Sequence, residues 1–176
     1  MVLNYKNLTI RPASPADAPQ LEAWWNNGEL MAHAGFPNGT GEKAEDIAAR
    51  IAWETDQSRR LILELDRRPI GEMNYGPNED GESAWIGVKI CEISQQEHGY
   101  GKILLSMLIC WLFGTAGYKK VTVDPDRDNK RSRHIYERLG FRPVRVRENA
   151  WLDQAGVSRS FVDYELRPED FVDFAQ

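Results

Sequence analysis

The stretch "QQEHGYGKILLSMLICWLF", Gln95 to Phe113, carries the reading of the fold. It sets a glycine-spaced turn directly against a nearly unbroken apolar run. From Ile103 to Phe113 the only hydroxyl or charge is Ser106. A helix that is apolar almost all round packs in the interior, here against a sheet. Glycines at its mouth let backbone approach an anion closely, and the helix N-terminus aims unpaired N–H groups and partial positive charge at it. Lys102 adds a formal positive charge. The turn reads as a phosphate cradle, and the question is which phosphate.

Two common answers fail on single residues. A mononucleotide loop needs glycine five positions before the Gly-Lys pair and Ser or Thr after it. Those places hold Gln96 and Ile103. The dinucleotide fingerprint needs a third glycine, and its place holds Leu104. What remains is Q-x-x-G-x-G at Gln96, Gly99 and Gly101, between a strand and a buried helix.

Outward from the turn, the pattern alternates strands and helices. "LTIRP" reads as a first strand. In "SPADAPQLEAWW", Ser14 caps a helix, Pro15 takes its first position and Asp17 completes a capping-box spacing. Leu21, Trp24 and Trp25 fall on its inner face. "HAGFPNGTG" is a loop, and Glu42 to about Ser58 is expected to be a second helix with Ile47, Ile51 and Trp53 inward. "LILEL", "PIGEMNY" and "AWIGVKICEI" read as three strands. After the buried helix come the strand "KKVTV", the helix "NKRSRHIYERLG" stopped by Gly140, and a last hairpin of "FRPVRVRENAWL" and "SRSFVDYEL". The expectation is an α/β chain with one mixed sheet of about six to seven strands, flanked by about four helices.

Bulk properties narrow the partners. A chain of 176 residues suits a single domain, 1–176. Its 41% hydrophobic and 28% charged residues are those of a soluble globular protein. A net charge of -5 argues against a nucleic-acid binder and leans toward a cationic small-molecule partner. Cys91 and Cys110 both sit in apolar runs, where buried reduced thiols suit a cytoplasmic location. The N-terminus lacks a signal pattern, and the longest apolar run is too short to span a bilayer, so no membrane is expected. No Cys/His/Asp grouping has metal-ligand spacing, so no metal is expected.

A second motif follows the turn by about thirty residues: "DPDRDNKRSRHIYERLGF". Ser132 and Tyr136 stand at i and i+4, on one helix face. With the strand "IGVKICEI", the buried helix and N-x-R-S-x-x-x-Y-x-x-x-G-F, the chain resembles the GNAT superfamily of acyl-CoA-dependent N-acetyltransferases. "DP" before Asn129 and "WW" in the first long helix are similar to aminoglycoside N-acetyltransferases. "IGVKI" and "NKRSRHIYERLGF" are equally similar to acetyltransferases of ribosomal-protein N-termini.

The resemblance implies an acetyl-CoA-binding core at about 83–141 and acceptor-site elements at about 14–58 and 142–166. Strand backbone at Lys89, Ile90 and Cys91 would pair with the pantetheine arm. The turn Glu97 to Lys102, with the N–H groups of Gly99, Tyr100, Gly101 and Lys102, would hold the pyrophosphate. Gln96 takes the Arg-or-Gln position that heads the motif. Asn129 would bond the pantetheine or its neighbouring backbone, with Ser132 on the Tyr136 face, and His98 is a weaker phosphate contact.

The chemistry gives those positions work. An alkylamine with a pKa near ~10 must lose a proton before it attacks a carbonyl. A carboxylate can take that proton, and a phenol can return one to the leaving thiolate. Tyr136 is the general-acid candidate, resting on the family resemblance. Asp124, at the end of a strand, and Glu92, beside the proposed cofactor, are the base candidates. Acceptor walls are expected from Trp24, Trp25, Phe36 and Trp151. The function expected is acetyl transfer to a primary amine by direct attack. The acceptor would be a small cationic amine or, alternatively, a protein N-terminus. A non-catalytic acyl-CoA-binding module is the remaining alternative, and the protein would be a monomer or homodimer.

Overall fold

The computed structural model describes the whole chain, residues 1–176. Eight strands form one sheet in the order β1-β2-β3-β4-β5-β6-β8-β7. They are β1 (Leu3–Tyr5), β2 (Leu8–Pro12), β3 (Arg59–Leu65), β4 (Arg68–Pro77), β5 (Ser83–Ile90), β6 (Lys120–Val123), β7 (Arg142–Leu152) and β8 (Ser158–Leu166). The helices are α1 (Ala18–Trp25), α2 (Gly28–Met31), α3 (Ala44–Ala52), α4 (Tyr100–Gly114) and α5 (Lys130–Arg138). Strand and helix counts both slightly exceed the expectation. The additions are β1, which extends the edge beside "LTIRP", and the single-turn α2 after Asn27.

Local signals act as read. Ser14 and Asp17 form the capping box, with the Ser14 N–H donating to Asp17 Oδ2 at 2.8 Å. It caps a 3-10 turn, Pro15–Asp17, that leads into α1. Gly140, at φ +98°, takes the left-handed conformation that stops α5. α3 is shorter than expected and ends at Ala52. Trp53 is therefore not an inward helix residue: it is 86% exposed.

The two sheet faces bury different elements. α4 covers one face, where Leu104, Leu105 and Leu108 pack with Leu61, Leu63, Met73 and Ile86. α1 and α3 cover the other, where Leu21, Trp24, Trp25, Ile47 and Ile51 pack on Ile62 and Cys91. Cys91 is buried, but Cys110 is exposed on α4 and bonds Asp173. Ser106, fully buried in α4, accepts the Phe174 N–H at 3.0 Å, so the C-terminal segment lies along this helix.

One junction breaks the sheet. β5 and β6 are parallel, and they pair only over Ser83↔Lys120, Ala84↔Val121 and Trp85↔Thr122. β5 continues to Ile90 against β4, with no strand on its other side. The fold thus contains an open internal edge running from about Ile86 to Ile90.

Candidate active site

The open edge has a definite parity. The Asn78 N–H donates to Ser83 O, and the Cys91 N–H donates to Ile70 O at 2.8 Å. Hydrogen-bonded pairs of an antiparallel ladder recur every second residue, so Trp85, Gly87 and Lys89 also turn their backbone groups toward β4. The groups left facing the gap belong to Ile86, Val88 and Ile90. Of the three strand residues expected to pair with a ligand, Lys89 and Cys91 are thus committed to β4. Ile90 faces the gap, as do Val88 and Ile86. The register with β4 sets this alternation, and the sequence carries no cue to it.

At the far end of the edge stands the glycine turn. Gly99 has φ +80° and is the N-cap of α4. A Cβ on Gly101 would meet nothing within 4 Å, so the mouth of the helix is open. The N–H groups of Glu97, His98 and Gly99 make no backbone bond. Those of Tyr100, Gly101 and Lys102 form a first turn, which has no i−4 acceptor. Six N–H groups without an i−4 partner thus lie at the positive end of α4, a donor set that suits a pyrophosphate.

The side chains around the turn have other work. Gln96 Nε2 donates to Ile90 O at 3.0 Å, tying the strand end to the turn. Arg131 reaches across from α5 to Gln96 Oε1 at 3.4 Å and lies 3.7 Å from Glu97. This cation was not picked out from the sequence, because only the fold brings α5 against the turn. The His98 ring bonds Ser94 O at 3.1 Å and stacks on Tyr100, leaving only its N–H for an anion. Lys102 Nζ lies 4.6 Å from the centroid of Phe174.

The near end of the edge carries the titratable groups. Asn129 caps α5, accepting the Ser132 N–H at 3.1 Å. One turn along, Tyr136 is buried with its ring edge-on to Phe141 at 5.4 Å. Burial pushes its hydroxyl pKa up, and the nearby Asp124 carboxylate adds to the shift. Asp124 directly follows β6, two residues beyond Thr122, whose pairing with Trp85 is the last across the junction. Its Oδ2 accepts from Arg147 at 2.9 Å, and its side chain is 68% exposed.

Glu92 stands elsewhere. It lies roughly 20 Å beyond Trp85 along the extended chain, at about 3.3 Å per residue, beside the glycine turn. Trp24 donates to it at 2.9 Å. The two base candidates are therefore not brought together. Trp25 donates in parallel fashion to the buried Glu72 at 2.7 Å, and Arg60 pairs with the same carboxylate. Both tryptophans are core residues whose indole N–H groups satisfy carboxylates. Lys89 is half-buried beside Glu72, and desolvation lowers its pKa below the usual 10.5.

Phe36 and Trp151 do meet, with ring centroids 6.1 Å apart. Gly35 sits against Trp151, where a Cβ would come within 2.0 Å of the indole. Gln154 fixes the junction: it accepts from the Asn38 N–H at 2.8 Å and donates to Gly39 O at 2.9 Å. Loop 35–41 and the β7–β8 hairpin thus form one strap. Glu148 pairs with Arg127, and Asp153 caps the hairpin turn and pairs with Arg159. No three His, Cys, Asp or Glu side chains are grouped to hold a metal ion, and no helix is long and apolar enough to cross a membrane.

Comparison with known proteins agrees with this geometry. Residues 7–142 match the family model described as an acetyltransferase (GNAT) domain. No curated protein matches. The spermidine N-acetyltransferase from Vibrio cholerae, solved with CoA and spermine, superposes with a TM-score of 0.81 at 18% identity, covering 93% of this chain and 97% of that one. RimL, a ribosomal L7/L12 alpha-N-protein acetyltransferase in complex with coenzyme A, gives 0.83 at 14% identity, covering 95% and 98%. The microcin C7 self-immunity acetyltransferase MccE, in complex with acetyl-CoA and AMP, gives 0.77 at 19% identity, covering 92% and 93%. With the family model spanning most of the chain, over the open edge, the glycine turn and the tyrosine helix, this protein belongs to the GNAT acetyltransferase family.

Proposed function

We propose that the protein moves an acetyl group from acetyl-CoA to the primary amine of a small molecule by direct attack. One observation carries the reading: a single open strand edge runs between the glycine turn and the Tyr136–Asp124 pair. The edge residues Val88 and Ile90 are poised to bond the pantetheine arm, and the turn amides to take the pyrophosphate. Acetyl-CoA supplies the thioester carbonyl and the thiolate leaving group.

The chain's own residues do the rest. The amine arrives protonated, and Asp124 takes its proton, directly or through a water, while Arg147 holds the carboxylate in place. Free N–H groups of the β5 edge stabilise the negative charge that develops on the carbonyl oxygen. Tyr136 gives its proton to the departing thiolate and regains one from the nitrogen of the tetrahedral intermediate, which must lose a second proton, directly or through a water, to become the amide. The raised pKa of Tyr136 keeps the hydroxyl protonated throughout the neutral range, at the cost of weaker acidity. Glu92, at the phosphate end, holds the strand terminus through Trp24 and touches no reacting atom.

The solved relatives named for spermidine and for a ribosomal protein support amine acetylation of either class. The strap between loop 35–41 and the hairpin narrows the acceptor side and favours the small molecule. The test is release of free thiol from acetyl-CoA with a panel of small amines and N-terminal peptides. Tight CoA binding with no amine raising thiol release above hydrolysis would mean a binding module instead.

A further inference from the structure

Between α3 and strands β3 to β5 lies a cavity of about 620 Å³, a size usual for a small-molecule site. Of the acceptor walls expected from the sequence, Trp25 lines it, while Trp24, Phe36 and Trp151 do not. Trp53, at the end of α3, and Trp85, on β5, both line it while remaining 86% and 38% exposed. Two large indoles left open beside one hollow form an apolar surface that a planar ligand would cover. The fold makes room for Trp85 on purpose: a Cβ on Gly76 would stand 2.6 Å from its ring.

The charges in the wall are uneven. Arg50, Arg59 and Arg60 line the cavity against one acid, Glu54. Their carboxylate partners Glu42, Asp56 and Glu72 lie outside the wall. Asp56, the partner of Arg59, is 88% exposed, and a pair so solvated is weak and readily exchanged for a ligand. A guanidinium has five N–H donors, so each can serve a second anion. Within the lining a polyamine would meet these three guanidiniums and the single carboxylate of Glu54.

Register ties the cavity to the chemistry. Asn74 lines it, and Asn74 Oδ1 lies 2.3 Å from where a Gly87 Cβ would be. Gly87 follows Trp85 by two residues, just past the last β5–β6 pair. The cavity therefore ends beside the start of the open edge.

We propose that this cavity receives the non-reacting part of the acceptor, and that this part is an aromatic ring bearing a carboxylate or a phosphate. The proposal rests on the acetyltransferase reading, so binding and turnover are measured separately. Calorimetric titration with indole-3-acetate, phenyl phosphate and spermidine reads the cavity without chemistry, and the first two tell carboxylate from phosphate. At least one anion should bind saturably, and spermidine should not compete with it. Trp53→Ala and Arg59→Gln should each weaken that binding by about tenfold or more, equivalent to ~1.4 kcal/mol. Trp53→Phe should restore most of it. Trp53 is at the surface and Arg59 is partly buried, and circular dichroism melts confirm folding of both variants.

In thiol-release assays the bound anion should raise KM for an active amine and leave kcat unchanged. Absence of saturable anion binding, or unchanged binding in both variants, overturns the proposal, as does non-competitive inhibition. Thiol release without anion binding defeats the cavity proposal alone. Anion binding without thiol release from any amine defeats the catalytic reading, while the binding chemistry of the cavity stands.

Discussion

Trp24 donates its indole N–H to Glu92 Oε1 at 2.9 Å, which fixes that carboxylate at the glycine-turn end of the open edge. Asp124 occupies the opposite end, near Tyr136. The two acids are therefore separable by substitution. Asp124→Asn should lower kcat by about 10²-fold, the usual worth of a positioned base. Glu92→Gln should leave kcat within a few-fold and lower the melting temperature slightly. Equal loss of kcat in both variants would reverse the assignment.

The Tyr136 hydroxyl makes no hydrogen bond within the protein, which on the proposed reading leaves it for the leaving group. Tyr136→Phe should reduce kcat by about 10²-fold while the dissociation constant for CoA stays the same. The ring packing on Phe141 is retained, so thermal stability should barely move. A matched fall in CoA affinity would make the tyrosine a binding residue.

Lys89 offers a stability test with a definite sign. Burial lowers its pKa, so the unfolded chain holds the proton more tightly than the folded one. Stability from this group therefore rises as pH climbs from the folded pKa toward 10.5, and the half-buried ammonium is a cost at neutral pH. Lys89→Met should add about 1 kcal/mol at pH 7, or about 2–4 °C in Tm. The gain should shrink toward pH 10.5. Glu72 keeps Arg60 and Trp25, so it is not orphaned. A loss of stability at pH 7 would contradict the desolvation argument.

Cys110 is exposed on α4 yet should be a sluggish thiol. Desolvation first, then its bond to Asp173, pushes its pKa up to about 11. Against an ordinary cysteine near 9.0, its thiolate at pH 8 is scarcer by about 100-fold, and alkylation should slow in proportion. Asp173→Asn should recover part of the rate. Labelling as fast as a free peptide thiol would refute this.

The strap between loop and hairpin depends on one glycine. Gly35 holds φ +90°, and its missing Cβ leaves room for Trp151. Gly35→Ala should destabilise the fold by about 1–3 kcal/mol, the cost of strain in a left-handed backbone. Hydrogen exchange should quicken at Asn38, whose N–H bonds Gln154. Unchanged protection there would show that the strap tolerates the clash.

Much of this fold was legible because local chemistry and tertiary position agree. Ser14 and Asp17 announce a cap that forms, and the apolar run after Gly101 announces a helix buried on one face of the sheet. Trp53 misled because a helical period continued past Ala52, although the chain turns there and leaves the indole in water. Trp24 and Trp25 are expected as acceptor walls; both are buried, each indole N–H satisfies a carboxylate distant in sequence, and Trp25 also lines the cavity beside α3. That pairing is a tertiary fact. The same holds for Arg131 at the turn and for the parity that selects Val88 over Lys89. The cavity beside Trp85 escaped notice because its wall joins residues from α3 and three strands.

The gap between β5 and β6 also has a bearing on the protein's behaviour when it is empty. An unpaired strand edge is a template for any extended chain, including another copy of this one. A donor molecule bonded along Val88 and Ile90 would occupy that edge and make the ladder continuous from β1 to β7. Free ligand would then raise apparent stability by mass action, and starvation of the donor would expose an adhesive surface. The acetyl carrier would thus double as a guard against self-association, a role that depends on backbone geometry and on no catalytic side chain.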